Sequence, residues 1–111
     1  MPPVTPLLKG TLDVLVLKAL SWSAMHGFEI AVWLEDHSAG HLAVDDGALY
    51  QALHRMEARG QIVADWGITE HNRRARYYRL TRAGRAHLRA ESASLVRYAR
   101  TVMAILAERP A

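Results

Sequence analysis

A chain of 111 residues, half of them apolar and 23% charged, has the size of one domain and enough apolar content to fold around a core. It contains no cysteine, which excludes a disulfide scaffold and cysteine-based metal or redox chemistry and suits a reducing compartment. The net charge of +3 conceals an asymmetry: residues 1–70 carry four Lys/Arg against nine Asp/Glu, and residues 71–111 carry ten against two. No acidic residue lies between His71 and Ala90, where seven arginines do. Such a block points to an anionic partner, nucleic acid first, ahead of a merely solvated basic face. No apolar run approaches the roughly 20 residues of a membrane span, and the N-terminus lacks the basic-then-apolar layout of a secretion signal. A cytoplasmic protein with no membrane partner is expected.

Met1 to Pro6, with three prolines in six residues, is expected to form a loose N-terminal arm. Thr11 to Leu20 is apolar on nearly all sides and predicts a helix buried by others, with Thr11 as its cap and Ser21-Trp22-Ser23 as its end. Its β-branched residues leave a strand open. His26 to Leu34 begins a second helix, with Ile30, Trp33 and Leu34 as its apolar stripe and Phe28 near its start. That helix runs out between His37 and Gly40.

The stretch from Asp45 to Gly60 has both a start and a stop for a third helix. Asp45 (or Asp46) can cap it and suits the positive end of its dipole, and Gly60 suits a left-handed residue after its last turn. Leu49, Ala52, Leu53 and Met56 share one face. Gly47, Tyr50, Gln51, His54 and Ala58 fall on another, with Ala48 and Arg55 beside them. A solvated surface helix is the ordinary reading of that polar face, and a recognition helix in a DNA major groove is the sharper one. Past Gly60 the period becomes that of a strand. Ile62, Ala64 and Trp66 alternate with Val63, Asp65 and Gly67, and Arg76 to Leu80 is a second β-prone run. Thr69 to Arg74 forms a polar, charged loop between them. Three helices followed by a hairpin with a basic tip describe an α+β, mostly helical, winged helix-turn-helix with a two-stranded wing.

Thr81 is expected to cap a last helix running to about Ala107, with Leu88, Ser92, Leu95, Ala99, Val102 and Leu106 on one face, widened by Val96 and Met103. A helix this long exceeds what the domain can cover. Packing against a second copy, through Leu88, Leu95, Val96, Ala99, Val102, Met103 and Leu106, is preferred to folding back onto the chain's own core. The division expected is a winged-helix DNA-binding domain over 1–81 and a C-terminal dimerisation helix over 82–111.

Three stretches carry a resemblance to a known family. They are Leu8-Lys9-Gly10-Thr11-Leu12-Asp13 with His26-Gly27-Phe28-Glu29-Ile30, then Gly47 to Glu57, then Asn72-Arg73-Arg74-Ala75-Arg76-Tyr77-Tyr78-Arg79-Leu80-Thr81-Arg82-Ala83-Gly84. In unbroken order over roughly residues 7–90 they resemble the PadR family of bacterial transcriptional regulators, in its short, single C-terminal helix form. The resemblance implies a homodimer, double-stranded DNA with a palindromic operator as partner, and repression of a nearby operon. Carried over by position, Tyr50, Gln51, His54 and Arg55, with Gly47 and Ala48, become recognition-helix contacts. Arg73, Arg74 and Arg76 become wing contacts, and Gly84 matches a small residue at the turn into the last helix. Two departures stand out: Asp45-Asp46 replaces a neutral pair, and Gln51 replaces a frequent proline. The acids weaken non-specific attraction to phosphate, while Gln51 offers an amide that can pair with adenine.

The resemblance also implies that planar molecules can enter the dimer interface. Tyr98, with Met103, is the effector-binding candidate, although an interface tyrosine without a ligand is the plainer reading. Trp22, Trp33 and Trp66 are each expected in the core. Six histidines without a converging set of ligands make a metal site unfavourable, and no catalytic motif is present, so neither a metal nor another cofactor and no enzymatic activity is expected. The rival reading is a winged-helix adaptor, or an effector-binding module, contacting protein rather than DNA.

Overall fold

The computed structural model describes residues 10–110, so the arm expected over residues 1–6 lies outside the described residues. In chain order the elements are α1 (Thr11–Leu20), α2 (Gly27–His37), α3 (Asp46–Ala58), β1 (Ile62–Ile68), β2 (Arg74–Leu80) and α4 (Arg82–Ala107). This is the mostly helical α+β winged helix-turn-helix read from the sequence. No described helix is long and apolar enough to cross a membrane.

α1 is helical throughout, which settles the strand alternative, but Thr11 is not its cap. Gly10, at φ 88°, holds the N-cap position without a side-chain hydrogen bond. Val16, Leu17 and Ala19 of α1 are fully buried. Around them close Ile30 and Leu34 of α2, and Leu49, Ala52, Leu53 and Met56 of α3, the four residues that helical spacing assigned to one face. The end of α3 is also as expected. Gly60 takes φ 73°, the Gln61 N–H donates to the Met56 carbonyl at 2.9 Å, and the Gly60 N–H donates to that of Glu57 at 3.0 Å. These two bonds satisfy carbonyls left free by the helix end, and only a left-handed residue lets the chain turn that way.

β1 and β2 form an antiparallel hairpin pairing Ile62 with Leu80 and Ile68 with Arg74. β2 begins two residues earlier than its β-prone run suggests, because the loop is tighter than its polarity implied. Asn72, at φ 60°, and the Thr69 N–H donating to the Arg73 carbonyl at 2.8 Å close a short turn, with a left-handed residue of the kind such turns need. The root of the hairpin is buried through Ile62, Tyr78 and Leu80. Met25 extends the pairing by exchanging backbone hydrogen bonds with Tyr78.

α4 divides into two parts. Gly84 and Leu88 are buried, and Leu95 packs partly against the same core. Leu88, expected in a seam between subunits, is therefore enclosed by its own subunit, because the first turns of α4 lie across α1. Beyond Leu95 the helix projects. Met103 and Leu106 are 67% and 78% exposed, and the molecule measures 62 Å along its longest axis against 21 Å along its shortest.

Two of the three tryptophans expected inside are outside. Trp22 is 69% exposed and Trp66 is 63% exposed, because one sits in the α1–α2 turn and the other beyond the buried root of the wing. Trp33 alone packs against the core.

The start of α4 leaves no room for a side chain at residue 84. A Cβ built on Gly84 would run into the backbone carbonyl of Gln61, and backbone cannot swing aside as a flexible side chain can. Gly84→Ala should destabilise the fold by about 1–3 kcal/mol or more, read as a lowered urea midpoint. An unchanged midpoint would show that the junction yields.

Candidate nucleic-acid interface

The outward side of α3 begins at its cap. The Asp45 carboxylate accepts from the Ala48 N–H at 3.0 Å, so one of the two acids is used locally, as expected. Gly47, Tyr50, Gln51, His54 and Arg55 are exposed and Ala48 is half-buried. Tyr50, Gln51, His54 and Arg55 together line an open cleft on the helix surface. Hydrogen-bond donors and acceptors thus stand on the side opposite Leu49 and Leu53, backed by a rigid core.

Two neighbours that sequence reading missed, Gly27 and Asp13, place these side chains. Gly27, the first residue of α2, lies beneath the Tyr50 ring, and a Cβ there would stand 2.9 Å from the Tyr50 hydroxyl oxygen. Ahead of it, His26 caps α2. Its Nδ1 accepts from the Glu29 N–H at 3.3 Å, and Glu29 Oε1 accepts from the His26 N–H at 3.1 Å. This capping box has histidine where Ser or Thr is usual, and it starts the helix where the sequence reading placed it. Arg55 does not stand free beside Gln51: its Nη2 donates to Asp13 Oδ1 of α1 at 2.9 Å.

The wing carries the remaining candidates. Arg73 is exposed at the tip. Arg74 lies over the Trp66 ring, 4.6 Å from its centroid, a cation–π contact that holds the guanidinium in place. Arg76 donates to Glu57 Oε2 of α3 at 2.7 Å and lies over the Tyr78 ring at 5.7 Å. Burial pushes the Tyr78 phenol above its usual range, opposed by the Arg76 charge and reinforced by Glu57 and Tyr50, so it stays neutral at physiological pH. On the opposite face Arg79 comes within 3.7 Å of Asp65. The basic block without local acids therefore recruits acids from earlier in the chain. Arg76 and Arg79 have anionic partners within the subunit, which weakens the sequence argument for those two and leaves it standing for Arg73 and Arg74.

The effector candidates Tyr98 and Met103 are both exposed. Five residues apart on a continuous helix, they point roughly 140° away from each other, so a single copy does not present them together. The open groove along outer α4 is lined instead by residues including Val96, Arg97, Arg100 and Thr101. Among the described residues no three His, Asp or Glu side chains converge as a metal site. His37 is engaged locally, its ring stacked on Trp33 at 3.8 Å and its Nδ1 2.8 Å from the Trp33 carbonyl.

The close approach at Gly27 has a measurable consequence. Gly27→Ala should displace the Tyr50 ring while lowering stability by less than about 1 kcal/mol, since the far end of an exposed side chain can give way. Shifted Tyr50 ring resonances with a near-native unfolding midpoint would be the signature. Unmoved resonances would show that the ring does not rest there.

Comparison with known proteins agrees with this architecture. Residues 16–90 match the transcriptional regulator PadR-like family. A transcriptional regulator of Mycobacterium tuberculosis, Rv3488, is 39% identical over 72 residues, spanning 64% of this chain and 66% of that protein. A PadR-like transcriptional regulator from Bacillus cereus superposes with a TM-score of 0.78 at 25% identity, covering 92% of this chain and 97% of that one. A protein from Streptococcus mutans, at 22% identity and a TM-score of 0.82 over 96% of both chains, shares the fold. With the family match covering most of the chain, from α1 into α4, this protein belongs to the PadR-like family of transcriptional regulators.

Proposed function

We propose that the chain is a homodimeric repressor of a nearby operon, acting in the bacterial cytoplasm on double-stranded DNA with an approximately palindromic operator. The observation that carries this reading is the exposed polar face of α3, with Tyr50, Gln51 and His54 standing clear of the core, on a subunit whose wing also exposes Arg73 and Arg74. Residues 1–81 would form the DNA-binding part. α3 enters the major groove with Gly47 and Ala48 at its leading end, Tyr50, Gln51 and His54 at the base edges, and Arg55 at the margin. Arg73 and Arg74 lie along the phosphates, with Arg76 nearer the hairpin root. Residues 82–111 would pair two copies, and the exposed part of the stripe, Val96, Ala99, Met103 and Leu106, supplies the seam with the half-buried Leu95 and Val102. Two reading heads would then meet half-sites about 34 Å apart or a multiple of it.

Release by a small planar effector is the finer part of the proposal. Tyr98 and Met103 are its candidates, brought together from two copies. An effector acts if it binds one separation of the two heads better than another. The exposed Trp22 and Phe28 favour a second reading, in which the α1–α2 turn docks a protein partner.

Anisotropy titration against the protein's own upstream region and a random duplex of equal length, over a range of salt, tests the proposal. Preference for the upstream duplex by roughly a thousandfold supports a specific regulator. Equal binding to both leaves only a basic surface, and no binding at low salt favours the protein-docking reading. Arg73→Ala with Arg74→Ala should weaken binding to both duplexes alike and lower the slope of log affinity against log salt by roughly 0.9 per lost phosphate contact; an unchanged slope would rule out that role. Gln51→Ala should cost about 1–3 kcal/mol at one base position, whereas a uniform loss over all sequences would make Gln51 a backbone contact.

A further inference from the structure

Beyond its root, the wing is a two-stranded ribbon. Ile62, Tyr78 and Leu80 anchor it in the core, but further out Trp66, Ile68, Arg74 and Arg76 are exposed. Such ribbons twist more freely than wider sheets, so cross-strand hydrogen bonds alone leave the direction of the tip loosely set. Residues 76 and 77 grip this ribbon from its two sides, since neighbouring strand residues point to opposite faces. On one face the Arg76 guanidinium binds Glu57, in the last turn of α3, at 2.7 Å. On the other, the Tyr77 ring meets His26, the cap of α2, edge-on at 5.3 Å. The polar contact between wing and α3 is thus made at the base of the exposed segment, where a small rotation has its largest effect on the tip.

We propose that Glu57, acting through Arg76, is a positioning residue for DNA binding: it sets the angle between α3 and the wing, so that the tip meets the backbone while α3 occupies the groove. The inference rests on the reading of α3 and the wing as a DNA interface, and it gives Arg76 a role other than neutralising phosphate. Four residues separate Arg76 from Asn72, or roughly 13 Å of strand. A change of about 15° in the ribbon therefore moves the tip by about 3 Å, enough to break a hydrogen bond to phosphate. The pair is partly exposed, with side chains 42% and 31% accessible. Pairs of this kind contribute little to stability, so removing it alters the pose rather than the fold.

The experiment uses the full chain as wild type, Glu57→Gln, Arg76→Gln and the double variant. Each is titrated against the upstream and random duplexes over a range of salt, with the thermal midpoint measured alongside. Each single variant should bind the upstream duplex about tenfold more weakly, and the double variant no more weakly than either single. All three variants should share one salt slope, lowered from wild type by whatever tip contacts are lost, and keep a near-native midpoint. A slope lowered by roughly 0.9 in Arg76→Gln but unchanged in Glu57→Gln would make Arg76 a phosphate contact and overturn the proposal. Tighter binding to both duplexes by Glu57→Gln would overturn it too, since Glu57 would then only repel DNA, and so would unchanged affinity in both singles. Failure of the underlying reading is seen separately, as wild type that does not prefer the upstream duplex.

Discussion

The packing of α4 against the Gln61 peptide is the constraint on which the outer parts of this molecule depend. Gly60 ends α3 in a left-handed turn, and the Thr81 hydroxyl donates to the Gly60 carbonyl at 2.6 Å. The Thr81 N–H donates to the Gln61 carbonyl at 3.1 Å, and the Thr81 hydroxyl oxygen accepts from the Gly84 N–H at 3.0 Å. One threonine thus ties the end of α3, the start of the hairpin and the start of the projecting helix. Gly84 is required because its neighbour is backbone. The end of α3 and the start of α4 are consequently joined through one short hydrogen-bonded junction.

Electrostatics in the folded chain differ from electrostatics along it. The arginine block after His71 lacks acids in sequence, yet Glu57 and Asp65 meet Arg76 and Arg79 across the hairpin and α3, and Asp13 meets Arg55 from α1. Each of these pairs is partly exposed, so its value lies in where it holds a guanidinium more than in stability. The tip arginines are of a different kind. Arg73 stands at the turn and Arg74 is braced by an aromatic ring, which keeps its charge available while limiting its motion. A surface that must follow a phosphate backbone gains from such bracing, because less side-chain freedom is lost on binding.

The apolar stripe of α4 serves two purposes along its length. Its first turns complete the subunit's own core, and its last turns carry apolar side chains into the open. Folding back thus describes the first part of the helix, and pairing is the proposal for the part that projects. An exposed apolar end on a long helix is poorly suited to isolation in water, which is the physical basis for assigning it to a second copy.

Helix and strand periods, capping residues and the left-handed glycine after α3 determined most of this fold from the sequence alone. These are local properties: the period of Leu49, Ala52, Leu53 and Met56 says which face is buried, and Asp45 and Gly60 say where the helix starts and stops. The polar face of α3 was legible for the same reason, as the remainder of that period. Contacts between residues far apart in the chain were decided only by the tertiary structure. They include the Asp13 and Glu57 ion pairs, Tyr50 resting on Gly27, Met25 paired with Tyr78, and the exposure of Trp22 and Trp66. No periodicity encodes them, because each depends on the angles at which separately specified elements cross. The division of α4 into a covered and a projecting half was decided in the same way, by how far α1 reaches along it.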